Sequence, residues 1–350
     1  MEKETHMKTR SIVPWIVALG AAGGWLYSRR AASYARLHPE LRHPLLRLRH
    51  PAFTRMLVSV MRRVTRAVPD PTDVEFERRD IAGPAGSPAV PVLLYRPLDG
   101  QRNTAALLYI HGGGFISGSA QDYHQQCARF ANELGLLVVN VEYRLALEAP
   151  FPAPLEDCYA ALKWMSDHAA RLGLDPERIA LAGDSAGAGL AAGLAQLAHD
   201  RGEVKPAFQL LLYPMLDDRT VLREQHGGRG EFVWTPGSNR LGWTTYLGHP
   251  PVPEQAPEYA APARRTDLRG LAPAWIGVGT LDLFYLEDRT YAQRLTQADV
   301  PCEFFEVEGG YHASELFMPG ASVSGVFLDR SRQALRRGLR LEHQNGGPSS

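Results

Sequence analysis

With 350 residues, 45% of them hydrophobic, the chain can bury the core of one large α/β domain or of two smaller ones. Its 38 basic and 38 acidic residues cancel, which excludes a global field that recruits nucleic acid. Its three cysteines, Cys127, Cys158 and Cys302, are widely separated and show no C-x-x-C spacing, so they read as reduced thiols rather than a zinc site or a disulfide framework.

Residues 11–28 carry no charge. As a helix rising about 1.5 Å per residue they would span about 27 Å, close to the hydrocarbon core of a bilayer. Trp15, Trp25 and Tyr27 lie towards the ends of the run, where aromatic anchors are expected. Three readings compete for it: an uncleaved membrane anchor, which leads; a cleaved secretory signal; and an apolar helix packed on a cap. Arg29-Arg30, directly after the run, argues against a signal. Pro14, Gly20, Gly23 and Gly24 weaken a continuous helix. From Arg29 to Arg66 the only acidic residue is Glu40, so this basic stretch would favour a lipid surface if an anchor crosses. Otherwise it is the solvated face of a cap helix, since Phe53, Leu57, Val60 and Val64 recur at helical spacing.

Pro69-Asp70-Pro71 marks a boundary. Residues 74–81 and 89–95 predict two strands joined by a Gly/Pro turn, 105–110 a buried strand, 121–134 a helix and 136–142 a further strand. Helix 155–170, strand 179–182, helix 186–199 and strand 208–213 follow. After a break come strand 274–279, helix 285–297, strand 302–306 and a last helix from 322 to about 341. Such alternation specifies an α/β fold with a mostly parallel sheet flanked by helices on both faces. The break, 217–273, is rich in Gly, Pro and Trp and reads as an insertion over the C-terminal edge of the sheet, where ligands bind in such folds. The tail 343–350 is expected to be disordered.

Gly183-Asp184-Ser185-Ala186-Gly187 has the form G-x-S-x-G between a predicted strand and a predicted helix. A sharp strand-to-helix turn needs glycines where backbone is crowded and leaves Ser185 exposed at the corner, in front of free N–H groups and the positive end of the helix dipole. His111-Gly112-Gly113-Gly114 directly follows a buried strand. Consecutive glycines let backbone N–H groups approach a reacting carbonyl, the oxyanion-loop type that accompanies G-x-S-x-G. His111 is expected to hold this loop by a structural hydrogen bond. A serine hydroxyl needs a general base and an acid behind it, in the chain order Ser, Asp or Glu, His for this architecture. Asp282 follows strand 274–279 and His312 follows the next strand, so both fit.

The other histidines are weaker candidates. His124, His168 and His199 fall on predicted helices and His226 and His249 in the insertion, as surface or packing residues. Glu287 and Asp288, at a helix start, are expected to cap it or to be solvated. Asp184 precedes the serine on the turn, so its carboxylate is expected to point away.

With these residues placed, the chain resembles the hormone-sensitive-lipase-like esterases of the α/β-hydrolase superfamily. The resemblance runs over most of 74–312: His111-Gly112-Gly113-Gly114-Phe115, Glu142-Tyr143-Arg144-Leu145-Ala146 leading to Ala149-Pro150-Phe151-Pro152-Ala153, Gly183-Asp184-Ser185-Ala186-Gly187, Leu212-Tyr213-Pro214, Asp282 and His312. It implies the α/β-hydrolase fold over 71–342, with Ser185 as nucleophile, His312 as base and Asp282 as its partner. It implies oxyanion donors from the backbone of Gly113, Gly114 and Ala186, and a cap made of N-terminal helices (31–70) together with the insertion. Three departures stand out: Leu147 where the family has Pro, Ala188 where it has Gly, and Asp282-Leu283-Phe284 where it has Asp-Pro-Leu.

The function expected is a serine carboxylesterase acting through an acyl-enzyme on short- to medium-chain esters, with no metal or organic cofactor and no nucleic-acid partner. Within the enzyme class the rival is hydrolysis of an amide or N-acetyl bond, as in membrane-anchored arylacetamide deacetylases, which the chain also resembles through its N-terminal run. From another class the rival is a hydrolase-like receptor, whose relatives are expected to have lost the serine or the histidine.

Overall fold

Eight strands build one sheet: β1 (Val74–Ile81), β2 (Val90–Pro97), β3 (Ala106–Ile110), β4 (Leu137–Val141), β5 (Ile179–Asp184), β6 (Phe208–Leu212), β7 (Ala274–Gly279) and β8 (Cys302–Val307). Their spatial order is β1-β2-β4-β3-β5-β6-β7-β8. β1–β2 and β2–β4 pair antiparallel, and every pair from β4 to β8 is parallel. This computed structural model describes residues 30–48, 52–54, 56, 58, 68–98 and 104–341. The uncharged run 11–28, most of the helical pattern over 53–64 and the tail 343–350 lie outside the described residues. Among the described residues, no helix is long and apolar enough to cross a membrane.

Strands β3 to β7 are buried along their whole length, as runs such as ALLYI and IALAGD require when helices cover both faces of a parallel sheet. The outer strand β1 instead exposes Glu75, Glu77, Arg78 and Asp80, charges that discourage a further strand from pairing there. The central helix Ala186–Arg201 is buried from Ala186 through Ala198, so its apolar residues run all the way round it rather than in one stripe. Helix 155–170 of the sequence reading is two pieces, Ala153–Asp167 and Ala169–Leu172, separated at His168. The last helix, Ser322–Gly338, stops short of Leu341.

Segment 217–273 holds one longer helix, Pro236–Leu247, and two short 3-10 turns, Asp218–Leu222 and Pro262–Arg264. Irregular backbone of this kind needs side-chain ties. The fully buried Asp218 accepts from Arg264 Nε at 2.6 Å and Nη2 at 2.9 Å. The N-terminal residues reach the same region. Arg30 donates to the Glu231 carbonyl at 2.8 Å and stacks over Phe232, and the Phe53 N–H donates to Ser238 Oγ at 3.0 Å. The His38 N–H donates to the Gly309 carbonyl at 3.1 Å, which ties this segment to the loop that carries His312.

Two acidic residues depart from the sequence expectation. Glu287 and Asp288 neither cap the helix Tyr285–Gln297 in solvent nor point outward; both are buried. Glu287 accepts from the N–H groups of Leu216 at 2.8 Å and Asp217 at 3.1 Å and from the Thr220 hydroxyl, so it satisfies the loop leaving β6. Asp288 has no hydrogen-bond partner on either carboxylate oxygen among the described residues. The loop that Glu287 satisfies comes from far away in sequence, which is why a helix-start pattern reads that residue as solvated.

Burial, with the Glu287 and Asp282 charges adding to it, pushes the Asp288 carboxyl well above the usual range. A carboxyl raised in the folded state favours folding most below its unfolded pKa of about 4 and loses that contribution as pH rises towards the folded value. Asp288→Asn is therefore expected to raise stability by about 2 kcal/mol near neutral pH and by far less near pH ~4.5. Urea unfolding at the two pH values checks this, and an equal gain at both would show that the carboxyl titrates alike in the folded and the unfolded chain.

Candidate active site

Ser185 occupies the corner between β5 and the helix Ala186–Arg201 with φ 55° and ψ −120°. A non-glycine residue at positive φ is held there by its surroundings. The Ser185 N–H donates to the Leu212 carbonyl at 2.9 Å, and its own carbonyl accepts from Gly189 and Met215, both at 3.0 Å. The corner is thus locked between β6 and the turn that leaves it.

His312 and Asp282 arrive on the loops after β8 and β7. The Ser185 hydroxyl lies 2.9 Å from His312 Nε2, and His312 Nδ1 lies 2.8 Å from Asp282 Oδ2. The other Asp282 oxygen accepts from the Phe284 N–H at 3.0 Å, so the Asp-Leu-Phe sequence still closes a turn that fixes the carboxylate. All three residues are buried, Asp282 most completely. A hydroxyl bonded to one imidazole nitrogen while a buried carboxylate holds the other can pass its proton to the ring as it attacks.

The three-glycine loop faces this corner. Gly113 (φ 119°), Gly114 (φ 64°) and Phe115 (φ 66°) run successively at positive φ, and the Gly113 carbonyl is held by the N–H groups of Ile116 and Ser117 and by the Ser117 hydroxyl. Among the described residues, the N–H groups of Gly113, Gly114 and Ala186 have no acceptor, the last of them at the helix N-terminus directly after Ser185. His111 Nδ1 donates to the Gly112 carbonyl at 2.8 Å, while its ring stacks on Tyr143 with centroids 4.3 Å apart. Burial lowers its pKa to about 4, so it stays neutral near neutral pH. The turn containing Leu147 also forms without the family's proline: Glu148 and Ala149 donate to the Leu145 carbonyl, and Ala146 donates to Phe115.

Asp184 does turn from Ser185. It accepts from the hydroxyls of Tyr109 at 3.1 Å and Tyr123 at 2.6 Å and from the Gly112 N–H, so it anchors the glycine loop from below. Burial raises it to about 6 although all three bonds pull the other way. Sequence reasoning missed that role; the signal available was a tyrosine on each of the two elements flanking the loop. Of the remaining histidines, His124 is a packing residue bonded to the Tyr95 hydroxyl at 2.7 Å, and His168 bonds the Trp164 carbonyl at 2.9 Å.

Aromatic side chains close the site from the insertion side. Trp234 lies against His312 with centroids 6.1 Å apart and against Phe53 at 5.8 Å, while Phe115 stacks on Tyr246 at 4.0 Å. A broader groove of about 980 Å³ lies at the opposite edge of the sheet, lined by Lys205, Phe208, Ala274, Cys302 and Arg337. It sits at strand starts and contains none of the residues above, whereas ligands in open α/β sheets bind at strand ends.

A buried Ser-His-Asp relay on the loops of such a sheet, facing free backbone donors, defines a serine hydrolase of the α/β-hydrolase fold. Residues 107–316 match the alpha/beta hydrolase fold family, and the chain belongs to it. Esterase LipI of Mycobacterium tuberculosis is 33% identical over 290 residues, covering 81% of this chain and 87% of LipI. Ethyl acetate hydrolase of Pseudomonas putida is 33% identical over 228 residues, covering 64% of this chain and 70% of that protein. The solved structure of a bacterial heroin esterase superposes with a TM-score of 0.77 at 37% identity, covering 88% of this chain and 99% of that one. The chain is a serine ester hydrolase of the hormone-sensitive-lipase-like branch of the superfamily.

Proposed function

We propose that Ser185 is the nucleophile that attacks the ester carbonyl, with His312 taking its proton and returning it to the leaving alcohol, and Asp282 holding the imidazole and stabilising the imidazolium. The N–H groups of Gly113, Gly114 and Ala186 receive the developing oxyanion, and His111 and Gly112 shape their loop. Water then enters as the alcohol leaves, and the same relay runs again to release the acid. The observation that carries this reading is the continuous Asp282–His312–Ser185 hydrogen-bond chain, which ends at a helix N-terminus whose first N–H, like those of Gly113 and Gly114, has no acceptor among the described residues.

Segment 217–273, together with N-terminal residues up to about 70, acts as the cap of this site. Contacts from Phe53 to Ser238 and Trp234, and from Trp234 to His312, support that role. The same contacts support short- to medium-chain acyl groups. A Cβ on Gly114 would already lie 2.1 Å from the Trp234 ring, so the wall beside the oxyanion loop leaves little room for a long chain. Turnover of p-nitrophenyl esters from acetate to palmitate is expected to peak at acetate to hexanoate and to fall by about a hundredfold at palmitate. A maximum at palmitate would overturn the chain-length reading.

A further inference from the structure

Behind His312 lies an acid that the proton relay does not use. The imidazole stands in an aromatic cage whose nearest wall is Tyr213, in T-shaped contact with centroids 5.0 Å apart; Phe284 at 5.3 Å and Trp234 at 6.1 Å form the others. Tyr213 follows β6 directly, at φ 38°, with its N–H bonded to the Gly277 carbonyl at 2.7 Å. Its hydroxyl donates to Glu315 Oε1 at 2.5 Å. Glu315 lies in the short helix Ser314–Phe317, which the chain enters from His312 through Ala313 at φ 56°. It is only 5% exposed. A buried carboxyl three residues from the base, bonded to the ring that packs on that base, has more than a surface role.

We infer that Glu315, through Tyr213, is a positioning residue for His312: as a carboxylate it braces the Tyr213 ring against the imidazole and adds a buried negative charge that favours the imidazolium formed when Ser185 gives up its proton. The inference rests on the proposed roles of Ser185 and His312. No proton passes through Glu315; the serine proton goes to His312 Nε2 and then to the leaving alcohol.

The surroundings give this acid its leverage. From β5, Asp184 faces the same region, already committed to Tyr109, Tyr123 and Gly112. From the β8 loop come His312 and Tyr311, the latter pushed up to about 12, chiefly by burial. From the last helix, Ser324 lines the small cavity beside Glu315 with its hydroxyl buried and unpartnered among the described residues. Among the described residues, no arginine or lysine lines that cavity. Burial therefore raises Glu315 to about 7, while Tyr213 and His312 pull it down. The charge behind the base appears as pH rises through neutrality.

The test is kcat and KM for p-nitrophenyl butyrate from about pH 5 to about pH 9 in the wild type, Glu315→Gln and Tyr213→Phe, with Ser185→Ala as reference. The wild type is expected to rise through the Glu315 ionisation near neutrality, a step added to the rise that freeing the general base itself imposes. Glu315→Gln keeps the shape and an acceptor for Tyr213 but removes the charge; it is expected to lose that step and about tenfold in kcat on the alkaline plateau, with KM unchanged. Tyr213→Phe takes away a bond to the carboxylate, so the step is expected to move to higher pH. If Glu315→Gln fails to melt cooperatively, the Tyr213→Phe shift decides alone. A Glu315→Gln profile with the wild-type shape, or an unmoved step in Tyr213→Phe, would overturn the inference while leaving Ser185 in place. Activity that survives in Ser185→Ala would overturn the underlying assignment instead.

Discussion

Ser185→Ala is expected to lower kcat for ester hydrolysis by about ten-thousand- to a million-fold, with little change in KM or in thermal stability. The reasoning starts from what the hydroxyl touches. Its hydrogen bond is to His312 Nε2, while the backbone of residue 185 is held independently by Leu212, Gly189 and Met215. Removing one oxygen therefore deletes the proposed nucleophile without releasing the corner. The free N–H groups of Gly113, Gly114 and Ala186 remain and can still polarise a bound carbonyl, which leaves a residual rate above that in water. Asp282→Asn is expected to reach a similar loss by another route. An amide in place of the carboxylate presents a donor to Nδ1, which favours the tautomer that places a proton on Nε2, where the serine proton must go. Single-turnover kinetics with mass measurement of the acylated protein separates the two. No acyl group should be found on Ser185→Ala, and slow acylation should be found on Asp282→Asn. Acylation of the alanine variant at a normal rate would place the nucleophile elsewhere.

The parts of the site that sequence reveals are those built by local backbone constraint. Ser185 is legible because a strand that turns at once into a helix needs small residues on both sides, and the glycine loop is legible because only glycines run through two successive positive-φ positions before Phe115. Asp282 and His312 follow from their place after β7 and β8, since loops at that edge converge on the corner. The strands themselves stand out as unbroken apolar runs. What stays hidden is whatever a distant segment supplies. Glu287 looks like a helix-start residue until the loop at Leu216 and Asp217 is laid over it. Glu315 and Tyr213 are 102 positions apart and meet only because β6 and the His312 loop end side by side. The irregular path of 217–273 is equally illegible, because ties such as Asp218–Arg264 replace a periodic pattern.

The two outer glycines of the serine motif show how much of that legibility is packing. A Cβ on Gly187 would lie 2.1 Å from the Ile110 carbonyl oxygen and 2.4 Å from that of His111. One on Gly183 would lie 2.5 Å from the Gly187 carbonyl carbon. These neighbours are backbone, at the end of β3 and in the first turn of the helix, and no rotamer change relieves the clash. Gly187 has no unusual φ, so alanine there is conformationally acceptable and sterically impossible. Gly202, which ends the same helix, is the reverse: it has φ 66° and open space around it. Gly202→Ala is therefore expected to cost about 1–2 kcal/mol, the penalty for a Cβ in the left-handed region. Gly187→Ala is expected to cost about 4 kcal/mol or more, since β3 and the helix must part to admit the methyl group. Because β3 runs straight into His111 and the glycine loop, the parting also moves the N–H groups of Gly113 and Gly114 away from Ser185. Folded Gly187→Ala, isolated at low temperature, should then show a lowered kcat per folded molecule, whereas Gly202→Ala should match the wild type. Urea midpoints and active-site-titrated kcat for the pair test both halves; equal destabilisation by the two substitutions would mean that the corner can open after all.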